Sequence, residues 1–129
     1  MKQQVTASIF IAFVLIVGAF LLSRGNAESS KGTANNVSIV NGKQIIEINA
    51  KGGYSPAVTA AKAGMSTILK VSTRGTFDCS SALIIPSIGY RSHLPQSGVT
   101  EIEIPQQASG SSMQGLCSMG MYNFQIKFN

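Results

Sequence analysis

Hydrophobic and polar positions alternate with a period of two along most of the chain after about residue 43. The alternating segments are short, rich in β-branched residues and separated by Gly or Pro, which is typical of strands joined by turns. They cover residues 46–50, 54–60, 67–73, 82–85, 100–104, 111–117 and 122–128. This regular spacing predicts an all-β sandwich or barrel. In the last segment Tyr122, Phe124, Ile126 and Phe128 fall on one face, so we expect them in the core.

The N-terminus has a different pattern, because residues 7–22 form an apolar run without a charge. Its length lies between that of a signal-peptide core and that of a full membrane span. It predicts a hydrophobic helix within residues 1–24 that acts as an uncleaved signal anchor, although cleavage after Ala27 stays open. With the anchor, the chain is a single-pass cell-membrane protein whose C-terminal domain lies outside the cytoplasm. With cleavage, the domain is secreted or periplasmic.

Residues 25–42 hold mostly small and polar side chains, which is typical of a flexible linker. Val37, Ile39 and Val40 indicate a short strand near its end. The remaining residues, 43–129, are enough for one small hydrophobic core and predict a single domain.

Charge and motifs exclude several classes of function. From residue 43 onward the chain has seven basic and four acidic residues, and the basic residues do not cluster. Nothing in this charge pattern indicates a nucleic-acid partner. The chain contains neither a P-loop nor a dinucleotide fingerprint. Its single histidine is His93, and the sequence has no nucleophile-elbow motif with which a histidine could form a catalytic triad. We expect His93 on the surface, nearer the end opposite Cys79. The sequence therefore does not predict an enzyme.

Four sulfur side chains carry the candidate chemistry. Cys117, Met119 and Met121 follow one another closely, and Cys79 precedes the strand at 82–85. Soft thiolate and thioether donors select Cu(I). Two alternatives stay open, because two cysteines in an exported domain can form a disulfide and methionines often fill gaps in a core. Met113 is expected in the core.

The same region carries a family resemblance. The stretches that carry it are Gly53-Tyr-Ser-Pro56, Ala63-Gly64, residues 79–86, Leu94-Pro95, Glu103-Ile-Pro105 and residues 117–122. Together they resemble a cupredoxin domain, and within that superfamily they are most similar to small copper(I)-handling domains that follow a membrane anchor or are fused to heavy-metal transport proteins. The hallmark of these domains resembles Cys-Gly-Met-x-Met-Tyr, and here Ser118 replaces the glycine.

The resemblance implies a Greek-key β-sandwich of about seven to eight strands, preceded here by the N-terminal helix. It implies one metal ligand just before a middle strand and the others in the loop between the last two strands. On this chain these ligands are Cys79, Cys117, Met119 and Met121. Cys79 and Cys117 could also form a disulfide in an oxidised, copper-free form.

The expected function is an extracytoplasmic protein that holds Cu(I) in a sulfur-rich site for copper buffering, delivery or resistance. Blue-copper sites use two histidines, one cysteine and an axial methionine, yet no histidine follows Cys117. An electron-transfer cupredoxin with an atypical site and a metal-free, disulfide-bonded interaction domain remain the alternatives. The expected partners are the copper ion, the membrane through the N-terminal helix, and a copper transporter, chaperone or oxidase.

Overall fold

The computed structural model describes residues 35–129 and, before them, Val14 alone. Apart from Val14, the predicted signal anchor at 1–24 therefore lies outside the described residues, and so does most of the predicted linker. Among the residues that are described, no helix is long and apolar enough to cross a membrane. The strands are β1 (Val37–Val40), β2 (Lys43–Ala50), β3 (Tyr54–Ser55), β4 (Val58–Ala61), β5 (Thr67–Thr73), β6 (Ala82–Ile85), β7 (Tyr90–His93), β8 (Gly98–Ile104), β9 (Ser112–Cys117) and β10 (Asn123–Phe128). Two 3₁₀ turns, Cys79–Ser81 and Pro86–Ile88, flank β6.

The strands form two mixed sheets. One has the order β1-β2-β5-β8, with β3 paired to the end of β2, and the other has the order β4-β10-β9-β6-β7. The pairs β2–β5 and β4–β10 are parallel, and the remaining pairs are antiparallel. The predicted all-β class is confirmed for residues 35–129.

The number of strands differs from the expected seven to eight, because the short edge strands β1, β3 and β7 are counted separately. The segment predicted as one strand at 54–60 is in fact β3 and β4. Pro56 separates them, since proline has no N–H to donate to a ladder. Residues before Pro56 pair with β2, and residues after it cross to the other sheet and pair with β10. The short strand expected at the end of the linker is β1, so the first sheet begins before Lys43.

The core lies between the sheets, and the alternation in the sequence places it correctly. In β5 the odd-numbered residues are buried, and in β10 Phe124, Ile126 and Phe128 are buried. Tyr122 lies before β10 and is only partly buried. The other large buried side chains of the core are Ile46, Ile48, Tyr54, Leu69, Val71, Leu83, Ile85, Leu94, Ile102, Ile104 and Met113.

Phe124 fills the core next to the end of β9. It is paired with Gly115 across the β9–β10 ladder, and its ring occupies the space where a Cβ of residue 115 would lie. The ring of Tyr54 meets Phe124 edge to face, with the ring centroids 5.1 Å apart. A residue without a side chain at position 115 is therefore a packing requirement of this part of the core.

We expect Gly115→Ala to lower the free energy of unfolding by about 1–3 kcal/mol, because the added methyl group overpacks the core against an aromatic ring. Urea unfolding measures the change. Ser112→Ala is the matched control, since Ser112 is exposed on the same strand. Equal stability of the Gly115→Ala variant and wild type would show that Phe124 moves aside without cost.

Candidate metal centre

Cys79 and Cys117 meet at one end of the sandwich. Cys117 is the last residue of β9, and Cys79 opens the 3₁₀ turn that leads into β6. The β6–β9 ladder pairs Leu83 with Cys117, which brings the start of β6 to the end of β9. The two cysteines are 38 residues apart in sequence, their Cα atoms are 5.7 Å apart, and their sulfurs are joined in a disulfide. Cys117 is fully buried, and Cys79 is partly buried.

A network of hydrogen bonds fixes the segment that carries Cys79. One carboxylate oxygen of Asp78, Oδ1, accepts from the Ser80 amide at 2.8 Å and from the Ser80 hydroxyl. The other, Oδ2, accepts from the Gly52 amide at 2.8 Å. These bonds favour the ionised carboxylate and hold the pKa of Asp78 below its ordinary value, with the Ser80 hydroxyl as the largest cause. Asp78 thus ties the cysteine-bearing turn to the loop between β2 and β3.

Hydrogen bonds from the hydroxyls of Tyr54 and Thr76 fix the same segment. The Tyr54 hydroxyl donates to the Ser80 carbonyl at 2.9 Å, and the Thr76 hydroxyl donates to the Ala50 carbonyl at 2.6 Å. Burial, and to a lesser extent the charge of Asp78, raise the pKa of Tyr54 to about 12. The segment around Cys79 is therefore fixed to the ends of β2 and β3. The spacing of Asp78 and Ser80 is the signal in the sequence for the local part of this network, because Asp side chains accept hydrogen bonds from the backbone two residues on.

The loop from Ser118 to Tyr122 is tight and is built around Cys117. The Cys117 carbonyl accepts from Gly120 N at 2.8 Å, and the Cys117 amide donates to the Tyr122 carbonyl at 3.0 Å. The Tyr122 amide also donates to Cys117 Sγ at 3.5 Å. The loop geometry therefore fixes the position of the Cys117 sulfur and places a backbone donor beside it.

Met119 and Met121 lie in this loop and are among the most exposed apolar side chains, at 77% and 64% of their full accessible surface. Core packing therefore does not explain them, whereas Met113 is buried in the core as expected. All four predicted sulfur residues thus belong to one end of the domain. The structure joins the two cysteines directly and places both thioethers in the loop that follows Cys117.

The prediction that His93 lies nearer the end opposite Cys79 is wrong. β7 returns antiparallel to β6 after the Pro86–Ile88 turn and pairs His93 with Ala82, so His93 lies at the same end as the cysteines. Its Nε2 is 3.5 Å from the Ser81 hydroxyl. The neighbouring pair, Leu83 and Cys117, is buried, so His93 and Ala82 lie on the opposite, outer face of the sheet. The hairpin turn ending at Gly89 was the signal in the sequence, since it reverses the chain.

No group of three or more His, Cys, Asp or Glu residues placed to hold a metal ion occurs within residues 35–129. The candidate centre consists of two cysteines and two methionines.

Comparison with solved structures relates this arrangement to copper-binding domains. The metal-binding domain of the Cu(I)-exporting P-type ATPase CopA from Streptococcus pneumoniae D39, in a structure with Cu(I), is similar over 72% of this chain and 92% of that one, with 22% identity and a TM-score of 0.65. A copper-binding protein solved in its apo form is similar over 72% and 94%, with 20% identity and a TM-score of 0.65. The chain shares its fold with both. Neither a family model nor a curated protein sequence matches it.

We expect Tyr54→Phe to lower the free energy of unfolding by about 1 kcal/mol at neutral pH, because the Ser80 carbonyl loses its donor. The folded state also holds the Tyr54 proton to a pKa of about 12, against 10.0 for an unperturbed tyrosine. The unfolded state binds fewer protons between these values, so wild-type stability falls as pH rises through them. Chemical unfolding at neutral pH and across this alkaline range measures both effects.

The Tyr54→Phe variant should lack the part of the alkaline fall in stability that ionisation of Tyr54 causes. Tyr90→Phe is the matched control, because Tyr90 lies beside the opposite end, next to the Pro86–Ile88 turn. An alkaline fall of equal size in wild type and Tyr54→Phe would contradict the assignment.

Proposed function

We propose that this chain is a copper-binding protein that holds Cu(I) between the thiolates of Cys79 and Cys117, with thioether ligation from Met119 and Met121. The observation that carries the proposal is the direct contact of two cysteines 38 residues apart, beside a loop that exposes two methionines. Two thiolates and two thioethers form a set of soft donors, which Cu(I) prefers over harder ligands.

The fold supports the proposal independently of the ligands. Two mixed sheets enclose the core, the segment with Cys79 precedes β6, and the loop with Met119 and Met121 follows β9. Domains that share the fold are described as copper-binding, and one was solved with Cu(I). Fold likeness at this identity does not transfer a ligand set, so the proposed ligands rest on this chain's own residues.

The local structure supports the proposed ligation by both cysteines. Hydrogen bonds fix the segment around Cys79 on one side, and the Tyr122 amide donates to the Cys117 sulfur on the other. The disulfide shows that the two sulfurs meet at this end, so after reduction both thiolates are available to one ion. The exposed methionines are accessible to a donor or acceptor of copper, which is consistent with buffering or transfer rather than permanent storage.

The disulfide defines the step that must precede copper binding. A thiol reductant supplies two electrons and two protons, the S–S bond breaks, and two thiols form. Each thiol that binds Cu(I) then releases its proton. The oxidised chain is a second candidate for the functional form, a metal-free, disulfide-bonded interaction domain, and the observed Cys79–Cys117 bond is what favours it.

The proposed location is the cell membrane, with the apolar run 7–22 as a single-pass anchor and the domain outside the cytoplasm. There the domain would exchange copper with a transporter, a chaperone or an oxidase. The role is copper handling for homeostasis or resistance, without catalysis.

Titration of the reduced protein with Cu(I) against a competing chelator tests the site. We expect wild type to bind one equivalent tightly, and the double variant Cys117→Ser, Met121→Leu to lose that equivalent, because it removes one thiolate and one thioether. The single variants Met119→Leu and Met121→Leu then show which thioether contributes, as a weakening of the affinity by tenfold or more.

Met65→Leu is the matched control, because Met65 lies in the turn between β4 and β5, outside the sulfur loop. It should bind Cu(I) as wild type does. Absence of tight binding by the reduced wild type would refute the copper site and leave the disulfide-bonded domain. Unchanged binding in the double variant would place copper elsewhere.

The oxidation state of Cys79 and Cys117 should determine both the stability of the domain and its affinity for Cu(I). Reduction opens a 38-residue loop, which on a chain-entropy model lowers the free energy of unfolding by about 3–4 kcal/mol. Cu(I) should restore that stability in the reduced protein, because it binds only the folded state. Thermal unfolding of the oxidised, reduced and reduced-plus-Cu(I) forms measures both effects. Equal Cu(I) affinity of the oxidised and reduced forms would contradict ligation by both cysteines.

A further inference from the structure

The end of the domain that carries the cysteines also carries its most exposed apolar side chains. We call this the sulfur end and define it by the loops 74–81 and 118–122. Phe77 is 75% exposed, Met119 77% and Met121 64%. Within residues 35–129, every other exposed large apolar side chain lies in a strand and is exposed by 59% or less. Three accessible apolar side chains in two adjoining loops indicate a contact surface.

The two loops that carry the three side chains are held together at this end. The disulfide joins Cys79, in loop 74–81, to Cys117, the residue directly before loop 118–122. The Ser118 amide also donates to the carbonyl of Ala82, the residue directly after loop 74–81, at 2.9 Å. The ring of Tyr122 also lies close to Gly53, which neighbours the Gly52 amide bonded to Asp78. The loops that carry the exposed apolar side chains are therefore fixed to each other and to the loop between β2 and β3.

Two basic residues lie on the side of this end that loop 74–81 forms. Arg74 begins that loop, and Lys51 follows the end of β2, with its Nζ 3.9 Å from where a Cβ of residue 75 would be. Among residues 35–129 the acid at this end is Asp78, and both of its carboxylate oxygens already accept hydrogen bonds, from Ser80 and Gly52. Exposed apolar side chains beside Lys and Arg are the combination that binds the interface of an anionic bilayer.

The direction in which the chain enters the domain agrees with this face. β1 pairs antiparallel with β2, with Val37 opposite Ile46 and Val40 opposite Lys43, while β2 ends at the sulfur end. The chain therefore enters β1 midway along β2, travelling away from the sulfur end. On the anchoring proposed above, 14 residues would connect the apolar run to β1.

We propose that the sulfur end is a docking surface for an anionic lipid bilayer, on which Phe77, Met119 and Met121 enter the interfacial region and Lys51 and Arg74 face the headgroups. The proposal rests on the membrane anchoring under the proposed function. Weak contacts suffice, because a tether converts docking into an intramolecular event at high effective concentration. Copper would then be exchanged at the lipid surface, where a membrane-embedded donor or acceptor presents its own site.

Methionine methyl NMR of the full chain in lipid nanodiscs tests the proposal. The oxidised, copper-free protein is labelled with [methyl-¹³C]methionine, and the discs contain anionic lipid with a trace of headgroup-chelated gadolinium. We expect the Met119 and Met121 signals to be broadened several-fold more than that of Met65, which lies in the turn between β4 and β5 at the opposite end. Buried Met113 is a second internal reference. Equal broadening of Met65, Met119 and Met121 would overturn the proposal.

Two substitutions sharpen the test. Phe77→Asp should reduce the broadening of Met119 and Met121, and so should discs of purely zwitterionic lipid. Ile39→Asp is the matched control, because Ile39 is an exposed apolar residue in β1 away from the sulfur end, and it should change nothing. Signals unchanged by Phe77→Asp would contradict docking through this face.

The remaining outcomes separate this proposal from the others. Failure of the chain to co-purify with the discs would refute the anchoring and this proposal with it, whereas Cu(I) titration in detergent judges the copper site separately. Changes in Met119 and Met121 that depend on the number of chains in each disc would identify a second copy as the occupant and overturn lipid docking.

Discussion

The register of β6 on β9 is the constraint on which the site depends. It pairs Leu83 with Cys117 on the inner face, so that the turn before β6 places Cys79 against Cys117. A slip of one residue would turn Cys117 to the outer face, where His93 lies, and separate the two sulfurs. On the other side of β9, the ring of Phe124 over Gly115 favours the observed register of β10 on β9.

The thiols and the thioethers of the proposed site differ in how firmly they are held. Cys79 and Cys117 are attached to backbone that is fixed by Asp78, Tyr54 and the Tyr122 amide. Met119 and Met121 are exposed on a short loop. On the proposed function, the fixed thiolate pair would supply affinity and the accessible thioethers would let copper enter and leave. The disulfide would be the form of the same two sulfurs when copper is absent and the surroundings are oxidising.

The sequence predicted what depends on local pattern. Alternation placed the buried faces of β5 and β10, and the spacing of Cys117, Met119 and Met121 indicated one loop of sulfur donors. It did not predict features that depend on the third dimension. Pro56 sends the chain from one sheet to the other, and this follows from a lost backbone donor rather than from side-chain pattern.

The same limit applies to His93 and to Asp78. His93 was placed at the wrong end because distance was counted along the chain, while the β6–β7 hairpin brings it back beside Ala82. The role of Asp78 depends on the Gly52 amide, which is far away in sequence and near only after β2 and β5 have paired. A local sequence pattern does not show which residues meet across the sheets.

X-ray absorption spectroscopy of the reduced, Cu(I)-loaded protein tests the central claim most directly. The account predicts a first coordination shell of sulfur alone. A nitrogen or oxygen scatterer in that shell, with the imidazole of His93 as the nitrogen source at this end, would contradict a site built from Cys79, Cys117 and the methionine loop.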